Sequence, residues 1–515
     1  MDHLQRAGRR LWIGIPGTRL DAATRAHLED LRPGGVVLFR RNVGGRAEVR
    51  ALIRELRDVC GNDLVVSADQ EHGLVNRFDK EIPVFPGNMA LGATGVREVS
   101  MAEHLALDQG RHSGAALADL GIDVNLAPVC DLACDGGNPG LGTRAFGAWA
   151  PLAAPLVAAL SRGLVEGGVH ATLKHFPGLG RASLDTHHDL PTVMQADLTE
   201  ALAPFLAGMK GGARCVMTTH VVFPELDAEF PATFSKRIVG DLLRARCGFD
   251  GVVVTDDLEM GAMTARFGFD DVIRGAVRSG HDALCICLDA DRQRRARDLL
   301  AEGLASDADW IGDPAASERR LAALRRPAGG FPLDDAAADA LADAIAGRAV
   351  TVARDPSKLL PLAADEGVLA VVPALRGETM AEDPLRGETL DTFLAGLPVG
   401  SKVFQLPPNP DMSVADAVAV VAAPYRRVVL GTTLARFDAA HRRFAQRVAT
   451  SHTGVVVVAL RNPFDFEVLP SSITCVTAYG FRPVHQRALL KVLFGRVAPY
   501  GRLPVTLVDR SAETT

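Results

Sequence analysis

Short apolar runs recur along the first 290 residues of this 515-residue chain, and most neighbouring runs are separated by enough residues for a helix. Most are unbroken Val/Ile/Leu stretches, which is typical of parallel strands buried on both faces. The eight runs are LWIGIPG from Leu11, GGVVLF from Gly34, DLVVSAD from Asp63, GIDVNLAP from Gly121, VHATLKHF from Val169, CVMTTH from Cys215, GVVVTDD from Gly251 and ALCICL from Ala283. Eight strand–helix units predict an α/β fold, a (β/α)8 TIM barrel over roughly residues 1–325.

A second set of apolar runs follows the Pro/Gly-rich stretch RRPAGGFPLDD and the helical pattern AAADALADAIAGRAV. Helical patterns separate these runs too, which predicts a smaller α/β domain with an open, mostly parallel sheet between helices. The runs are GVLAVVP from Gly367, RRVVLGTT from Arg426, TGVVVVALRNP from Thr453 and ITCVTAY from Ile473. We therefore divide the chain into the barrel (1–325), a linker and helix (326–350) and a C-terminal α/β sandwich domain (351–515).

Charged and imidazole side chains collect where the barrel runs end. Active sites of (β/α)8 barrels lie at the carboxyl ends of the strands. The side chains in these positions are Asp69, Lys174, His175, His220, Asp256 and Asp257. Their placement indicates an enzyme.

The net charge, the hydrophobic pattern and the cysteines restrict the class of protein to which this chain can belong. The net charge of −6 and the absence of an evident basic face argue against a nucleic-acid partner. The N-terminus lacks the apolar core of a signal peptide, and no stretch approaches the ~20 apolar residues that cross a bilayer. The eight cysteines form no CxxC pair, and several lie within apolar strands. We expect a cytoplasmic protein with no membrane partner and no disulfide framework.

The segment KHFPGLGRASLDTHHDLP, from Lys174 to Pro191, contains the highest density of residues that could take part in catalysis, and it has no convincing helical pattern. So long a loop is uncommon in a compact domain unless it is functional. Asp185 and His187 could pair, which would fix the tautomer of the imidazole and leave one ring nitrogen for proton transfer. A solvated loop histidine beside a turn-capping aspartate fits the spacing equally well.

Three other elements could carry chemistry. Asp256 and Asp257 could supply a nucleophile, a pair of metal ligands or a helix cap, and strand alternation predicts that only one of them faces a shared substrate. Asp69, followed by Glu71, His72 and Arg77, could bind sugar hydroxyls or a metal, or cap a turn. A lone arginine such as Arg144, on a Gly-rich loop after the fourth strand, is more often a surface residue.

Taken together, these side chains fit three reactions. Glycoside hydrolysis needs a carboxylate nucleophile and a general acid. A metal-dependent hydrolase would use His72, His175, His187 and His220 as its pool of ligands, although no HxH pair follows the first strand. A Schiff-base enzyme would use Lys174. A sugar-binding protein built on a barrel is the remaining option.

Several long motifs, in order along the chain, resemble those of one family. KHFPGLGRASLDTHHDLP is similar to the KHFPGHG…DSH…LP signature of bacterial β-N-acetylhexosaminidases in glycoside hydrolase family 3. VMTTHVVFPELDAEFPATFS, GFDGVVVTDDLEMGAM, SADQEHGLVNRF and APVCDL with LGTRAFG resemble further elements of that group. The closing YGRLPVTL is similar, more weakly, to the second domain of two-domain members.

The resemblance implies a role for each matching residue. Asp256 would be the nucleophile of a covalent glycosyl-enzyme, and His187, oriented by Asp185, the general acid/base. The non-reducing sugar would be held by Asp69, Arg144, Lys174 and His175, with Arg77 and His220 as additional contacts. It also implies retention of configuration, no metal and no other cofactor.

The implied activity is that of an exo-acting β-N-acetylhexosaminidase, releasing terminal N-acetylglucosamine from muropeptides or chito-oligosaccharides during cell-wall recycling. Its partner is a small carbohydrate substrate, and we expect a monomer or homodimer. The alternatives are a family 3 β-glycosidase of other sugar preference, an N-acetylglucosaminide phosphorylase and, from another class, a metal-dependent hydrolase on a TIM barrel.

The chain departs from the family pattern around the proposed site. Leu179 replaces the second histidine of PGHG, and Arg181 with Ala182 replaces the usual Asp-Thr. His72 stands where a small residue usually lets the sugar approach, and Leu74 replaces a frequent arginine. These changes leave the proposed catalytic set intact and bear on sugar preference.

Overall fold

A computed structural model describes residues 2–134, 138–180, 191–194, 198–324, 329–375, 382 and 389–512. Its N-terminal part is a closed barrel of eight parallel strands. The strands are β1 Leu11–Gly14, β2 Gly35–Leu38, β3 Val65–Ala68, β4 Val124–Asn125, β5 His170–Phe176, β6 Cys215–Thr218, β7 Val252–Asp257 and β8 Ala283–Ile286. Each predicted run supplies one strand, so the predicted barrel is confirmed.

Helices surround the barrel on its outer side. Several begin at an aspartate whose side chain accepts a hydrogen bond from the first turn, as Asp21 does from the Thr24 amide at 2.7 Å. They are α1 His3–Gly8, α2 Ala22–Leu31, α3 Arg46–Cys60, α4 Asn88–Gly95, α5 Val99–Leu120, α6 Ala150–Gly167, α7 Thr199–Lys210, α8 Gly261–Thr264, α9 Phe269–Ser279, α10 Ala290–Ala305 and α11 Pro314–Ala322, with a π-type helix Arg237–Arg246 and 3-10 turns Arg40–Asn42, Gly142–Arg144 and Asp309–Ile311.

The barrel strands are buried on both faces. Along β7, Val252 and Val254 point into the barrel interior, whereas Val253 packs outward against the helices. Successive side chains of a strand alternate in this way. Both faces are therefore apolar, which is why these strands read as unbroken hydrophobic runs.

The C-terminal domain is built on a six-stranded sheet. Its strands are β9 Thr351–Arg354, β10 Leu369–Val372, β11 Lys402–Gln405, β12 Val428–Thr432, β13 Val455–Ala459 and β14 Thr474–Thr477, in the spatial order β9-β14-β13-β12-β10-β11. All neighbours are parallel except β9, which runs antiparallel to β14. The helical segments of this half are α12 Asp335–Ala349, α13 Asp391–Ala395, α14 Met412–Ala422, α15 Ala439–Ser451 and α16 Pro483–Leu493, with a 3-10 turn Pro463–Val468.

This sheet confirms the predicted mostly parallel α/β domain. Its four central strands are the four predicted runs. The two edge strands, β9 and β11, were missed because TVAR and KVFQ lack a continuous apolar run and are partly exposed. An edge strand has one neighbour and less burial, so its sequence carries a weaker signal.

The second domain lies against the barrel loops near α4. Helix α12 packs on α4, α5 and α16. The Ala148 amide donates to the carbonyl of Pro504 at 2.9 Å, and the Arg502 amide donates to that of Ala93 at 3.1 Å. A search of the described residues for helices long and apolar enough to span a bilayer finds none.

Candidate active site

A cleft of about 340 Å³ opens at the carboxyl end of the barrel. Its walls come from the residues that follow β2, β3, β4, β5, β7 and β8. Of the residues predicted from sequence, those that line it are Asp69, Arg77, Arg144, Lys174, His175 and Asp256. The structure thus brings together six side chains that are as much as 187 positions apart in the sequence.

One wall of the cleft is a network of ion pairs. The Lys174 ammonium contacts Asp69 and Glu71, each at 2.7 Å. The Arg144 guanidinium donates to both carboxylate oxygens of Glu71, at 2.8 and 2.9 Å. Arg77 approaches Asp69 at 3.3 Å. Because each of the three cations contacts one or both of the two carboxylates, this wall offers fixed donors and acceptors, and most of its charge is neutralised within it.

Contacts between opposite charges determine whether the carboxyl groups of this wall are ionised. Burial by itself raises the pKa of the Glu71 carboxyl, but the adjoining Arg144 and Lys174 outweigh burial and hold that pKa well below its usual range. Burial likewise opposes ionisation of Asp69, and Lys174 and Arg77 lower its pKa. All of these groups therefore stay charged, and loss of one partner would leave an uncompensated buried charge.

Glu71 reaches the cleft because a tight hairpin follows β3. Residues Gln70–His72 and Val75–Asn76 pair antiparallel, and the turn between them contains Gly73 with a φ of +59°. The Asn125 side chain on β4 bonds both the amide and the carbonyl of Gln70 at 3.0 Å, which ties the hairpin to the barrel. Glu71 lies in the motif SADQEHGLVNRF but was not among the residues predicted to hold the sugar.

His72 does not stand where a sugar would approach, contrary to the expectation drawn from the family pattern. The ring is buried, with Nε2 2.6 Å from Ser113 Oγ on α5 and an edge-on contact with Phe85. Burial lowers the pKa of His72 to about 3, so the ring is neutral. A φ of +66° turns the side chain away from the cleft and toward α5. The alternation of side chains along a strand does not predict this direction.

His175 is held by an aspartate that the sequence analysis did not single out. Its Nδ1 lies 2.7 Å from Asp131 Oδ2, and its Nε2 lies 3.5 Å from an Arg144 nitrogen. Asp131 also accepts hydrogen bonds from the amides of His175 and Leu179, at 3.2 and 2.6 Å. Asp131 belongs to the motif APVCDL, so the sequence placed it in a family motif, but no role had been assigned to it.

Asp256 and Asp257 both line the cleft, which corrects the prediction that only one could face it. Regular alternation would send them to opposite faces, but the register of β7 against β8 shifts between Val254 and Asp257. This bulge turns Asp257 back toward the cleft. The Asp257 amide donates to Asp256 Oδ1 at 2.8 Å, and burial raises the pKa of the Asp257 carboxyl to about 7.

His220 does not line the cleft, so the structure gives no support to its predicted sugar contact. Its Nδ1 lies 2.6 Å from the Thr233 hydroxyl, and its Nε2 donates to the main-chain oxygen of Asp257 at 3.1 Å. The ring is 1% exposed. It supports the end of β7 from behind the cleft.

Asp185 and His187, the predicted acid/base pair, and Arg181 lie outside the described residues. Of the other departures from the family pattern, Leu179 lines the cleft and Leu74 is buried in the core.

Another part of the cleft lining, next to the ion pairs, is more apolar and was not anticipated. It includes Phe39, Arg41, Met260 and Leu288. The Arg41 guanidinium lies 4.4 Å from the centroid of the Phe39 ring, and that of Arg77 lies 5.7 Å away. Phe39, Arg41 and Leu288 belong to no recognised motif, so only their place around the barrel reveals them, whereas Met260 lies in GFDGVVVTDDLEMGAM without an assigned role.

The three described histidines of the proposed metal-ligand pool each make a different contact, and His187 lies outside the described residues. His72 bonds Ser113, His175 bonds Asp131 and His220 bonds Thr233. Among the described residues, no group of three or more His, Cys, Asp or Glu side chains could hold a metal ion.

Known proteins share both the sequence and the fold. The glycosyl hydrolase family 3 N-terminal domain matches residues 9–308. Beta-hexosaminidase of Xylella fastidiosa (strain M23) is 37% identical over 280 residues, which cover 54% of this chain and 83% of that protein.

Two solved structures extend the comparison. A glycoside hydrolase family 3 β-N-acetylglucosaminidase from Paenibacillus sp. strain FPU-7 is 32% identical and superimposes with a TM-score of 0.90 over 99% of both chains. Native NagZ from Neisseria gonorrhoeae, 29% identical with a TM-score of 0.58, covers 65% of this chain and 97% of its own. Since the family match spans more than half of the sequence, this chain belongs to glycosyl hydrolase family 3 and is a glycoside hydrolase.

Proposed function

We propose that this chain is a retaining, exo-acting β-N-acetylhexosaminidase that releases terminal N-acetylglucosamine from muropeptides or chito-oligosaccharides. The relatives named as a beta-hexosaminidase and a β-N-acetylglucosaminidase support the choice of sugar. The main support within the structure is that Asp256 shares one cleft with the ion-paired wall of Asp69, Glu71, Lys174 and Arg144.

The ion-paired wall suits a neutral sugar better than an anionic substrate. Lys174 and Arg144 are already engaged by carboxylates, so neither offers an unmatched charge to a phosphate or carboxylate ligand. Their remaining donors, and the acceptor oxygens of Asp69, can hold hydroxyl and amide groups in fixed directions. Fixed dipoles of this kind orient a sugar without the cost of reorganising solvent.

In the proposed mechanism Asp256 attacks the anomeric carbon. The hydrogen bond from the Asp257 amide to Oδ1 holds the carboxylate and leaves Oδ2 to form the glycosyl bond. His187, with Asp185, would protonate the leaving oxygen and later take a proton from the attacking water. Two successive displacements at one carbon retain its configuration.

The test is a panel of p-nitrophenyl glycosides, assayed with and without inorganic phosphate. We expect the β-N-acetylglucosaminide to be cleaved fastest, with the β-anomer of the free sugar released first, as followed by NMR. Cleavage that yields a sugar 1-phosphate would instead assign a phosphorylase. Turnover of β-glucosides alone would contradict the proposed sugar.

Asp256→Ala should lower kcat by a factor on the order of 10⁴ to 10⁶ while leaving the circular dichroism spectrum unchanged. The matched control is Asp250→Ala, at the opposite end of β7, where the carboxylate is exposed beside Arg320. Activity close to wild type in Asp256→Ala would refute the mechanism. A similar loss in both variants would point to damage to β7 rather than to loss of the nucleophile.

A further inference from the structure

The two loops that hold the Glu71–Arg144 ion pair both rest on the second domain. The first is the hairpin that carries Glu71. At its turn, the main-chain oxygen of Gly73 accepts a hydrogen bond from Nε of Arg482, the N-cap residue of α16. Arg482 is 7% exposed, so this contact lies inside the interface between the domains.

A second residue of α16 holds the segment packed against that turn. Gly73 donates to the Phe85 oxygen at 3.1 Å, and its Cα packs on Gly87, so that a Cβ on either glycine would crowd the other backbone. His485 Nε2 donates to the Pro86 oxygen at 2.9 Å. Burial lowers the pKa of His485 to about 4, so the ring is neutral and Nε2 carries its proton.

The second loop, which carries Arg144, meets the same domain at Asn462. A Cβ on Gly142 would lie 2.2 Å from Asn462 Oδ1, so the backbone of this loop passes directly over that side chain. Asn88, which begins α4 directly after Gly87, donates to the main-chain oxygen of Arg144 at 2.7 Å. The segment held by His485 therefore continues into a contact with the Arg144 loop.

We propose that Arg482 and His485 are positioning residues for sugar binding: through the oxygens of Gly73 and Pro86 they set where Glu71 meets Arg144. Neither side chain lines the cleft, so neither is expected to touch substrate. The inference uses the proposed function only to choose a substrate, since any glycoside that the wild type cleaves can report the effect.

Arg482→Met removes the donor and keeps most of the volume of the side chain. A misplacement of the ion pair by a fraction of an ångström should raise KM and lower kcat/KM by about 10- to 100-fold. Arg482→Lys restores one donor and should recover part of that loss. His485→Phe should act in the same direction, because it keeps a ring but cannot donate to Pro86.

The matched control is Arg487→Met, on the same helix. Arg487 pairs with Asp343 of α12 at the exposed edge of the interface, and none of its hydrogen bonds among the described residues goes to either loop. It should leave kcat and KM within about twofold of wild type and the unfolding midpoint unchanged, as expected for an exposed ion pair.

Hydrogen–deuterium exchange separates positioning from global stability. Amides of residues 70–76 should exchange faster in Arg482→Met and not in Arg487→Met, while the central strands of both domains keep wild-type protection. The proposal is overturned if Arg482→Met keeps the wild-type KM, or if protection falls equally throughout the barrel. A wild-type enzyme inactive on N-acetylhexosaminides would refute the proposed function, yet the exchange experiment would still test this inference.

Discussion

In both the barrel and the second domain, a buried carboxylate follows the end of a parallel strand. The charges around these two carboxylates differ. Glu71, after β3, contacts Arg144 and Lys174 and keeps a pKa well below its usual range. Asp465, after β13, is fully buried and accepts a hydrogen bond from the Arg436 amide at 2.9 Å. Burial raises its pKa to about 6.

The space around these carboxylates differs as well. The barrel cleft has a volume of about 340 Å³, whereas the cavity at the carboxyl edge of the second sheet, beside Thr432 and His441, holds only about 20 Å³. A void of that size accommodates roughly one water molecule. The topology of a parallel sheet thus brings polar groups to its carboxyl edge in both domains. Among the described residues, counter-ions and open space occur together at the carboxyl edge of the barrel and not at that of the second sheet.

The sharpest test of this comparison is Glu71→Gln, which keeps the shape of the side chain and removes its charge. Lys174 would keep its contact with Asp69, but Arg144 would lose the carboxylate that accepts two of its hydrogen bonds, so a buried positive charge loses its partner. We expect a loss of about 3–5 kcal/mol in the free energy of unfolding and at least a 100-fold fall in kcat/KM. Urea unfolding and steady-state kinetics measure the two effects.

Glu166→Gln is the control for that variant. Glu166 pairs with Arg111 at 2.6 Å on the exposed surface between α5 and α6. Its loss should cost no more than about 1 kcal/mol and leave kinetics unchanged. If Glu71→Gln proved as mild as Glu166→Gln, the ion-paired wall would have no special role.

Asp465→Asn should stabilise the protein, and only at neutral or higher pH. The carboxyl pKa rises from 3.8 to about 6 on folding, so the folded state binds this proton more tightly than the unfolded state. Its stabilising contribution is complete below pH 4, falls as the pH rises through 4 to 6, and is absent above that range. Because asparagine mimics the protonated form, the variant should match wild type at pH 4 and exceed it by up to about 3 kcal/mol at pH 8.

Unfolding midpoints in urea at several pH values provide the measurement. An Asp465→Asn variant that is less stable than wild type at pH 8 would show that the buried carboxyl group is ionised and paired. Asp465 and Glu71 would then not differ in their surrounding charges, contrary to our interpretation.

The smallest expected effect concerns Asp257, whose pKa of about 7 is higher than those of both Glu71 and Asp465. Below pH 6 its carboxyl is mostly protonated, and Asp257→Asn should cleave substrate within about threefold of wild type. Above pH 8 the wild type carries an added negative charge beside Asp256 that the variant lacks. The ratio of the two kcat/KM values should therefore change across pH 7, and a ratio that stays constant from pH 5 to 9 would contradict the assigned pKa.

The sequence predicted the larger features of the fold because burial on both faces leaves a local signature. Most of the eight barrel strands and the four central strands of the second sheet carry continuous apolar runs, whereas the edge strands β9 and β11 do not. The same logic located Asp69, Lys174, His175 and Asp256 at strand ends. Arg144 needed the resemblance to a family, since nothing in its own neighbourhood separates it from a surface arginine.

Other features depend on contacts between distant segments, which no local pattern contains. The bulge in β7 arises from its register with β8, and it brings Asp257 back to the cleft. The turn at His72 follows from a positive φ and from a hydrogen bond to Ser113 on α5. Asp131 gains its role only because His175 folds against it.

The sequence by itself therefore determined the barrel, the second sheet and the strand ends that carry candidate catalytic residues. It could do so because strands buried on both faces appear in the sequence as apolar runs. The tertiary structure decided which charges neutralise one another, which histidines leave the cleft and how the second domain meets the loops that hold Glu71 and Arg144. Those outcomes depend on distances between residues remote in sequence, and such distances exist only after the chain has folded.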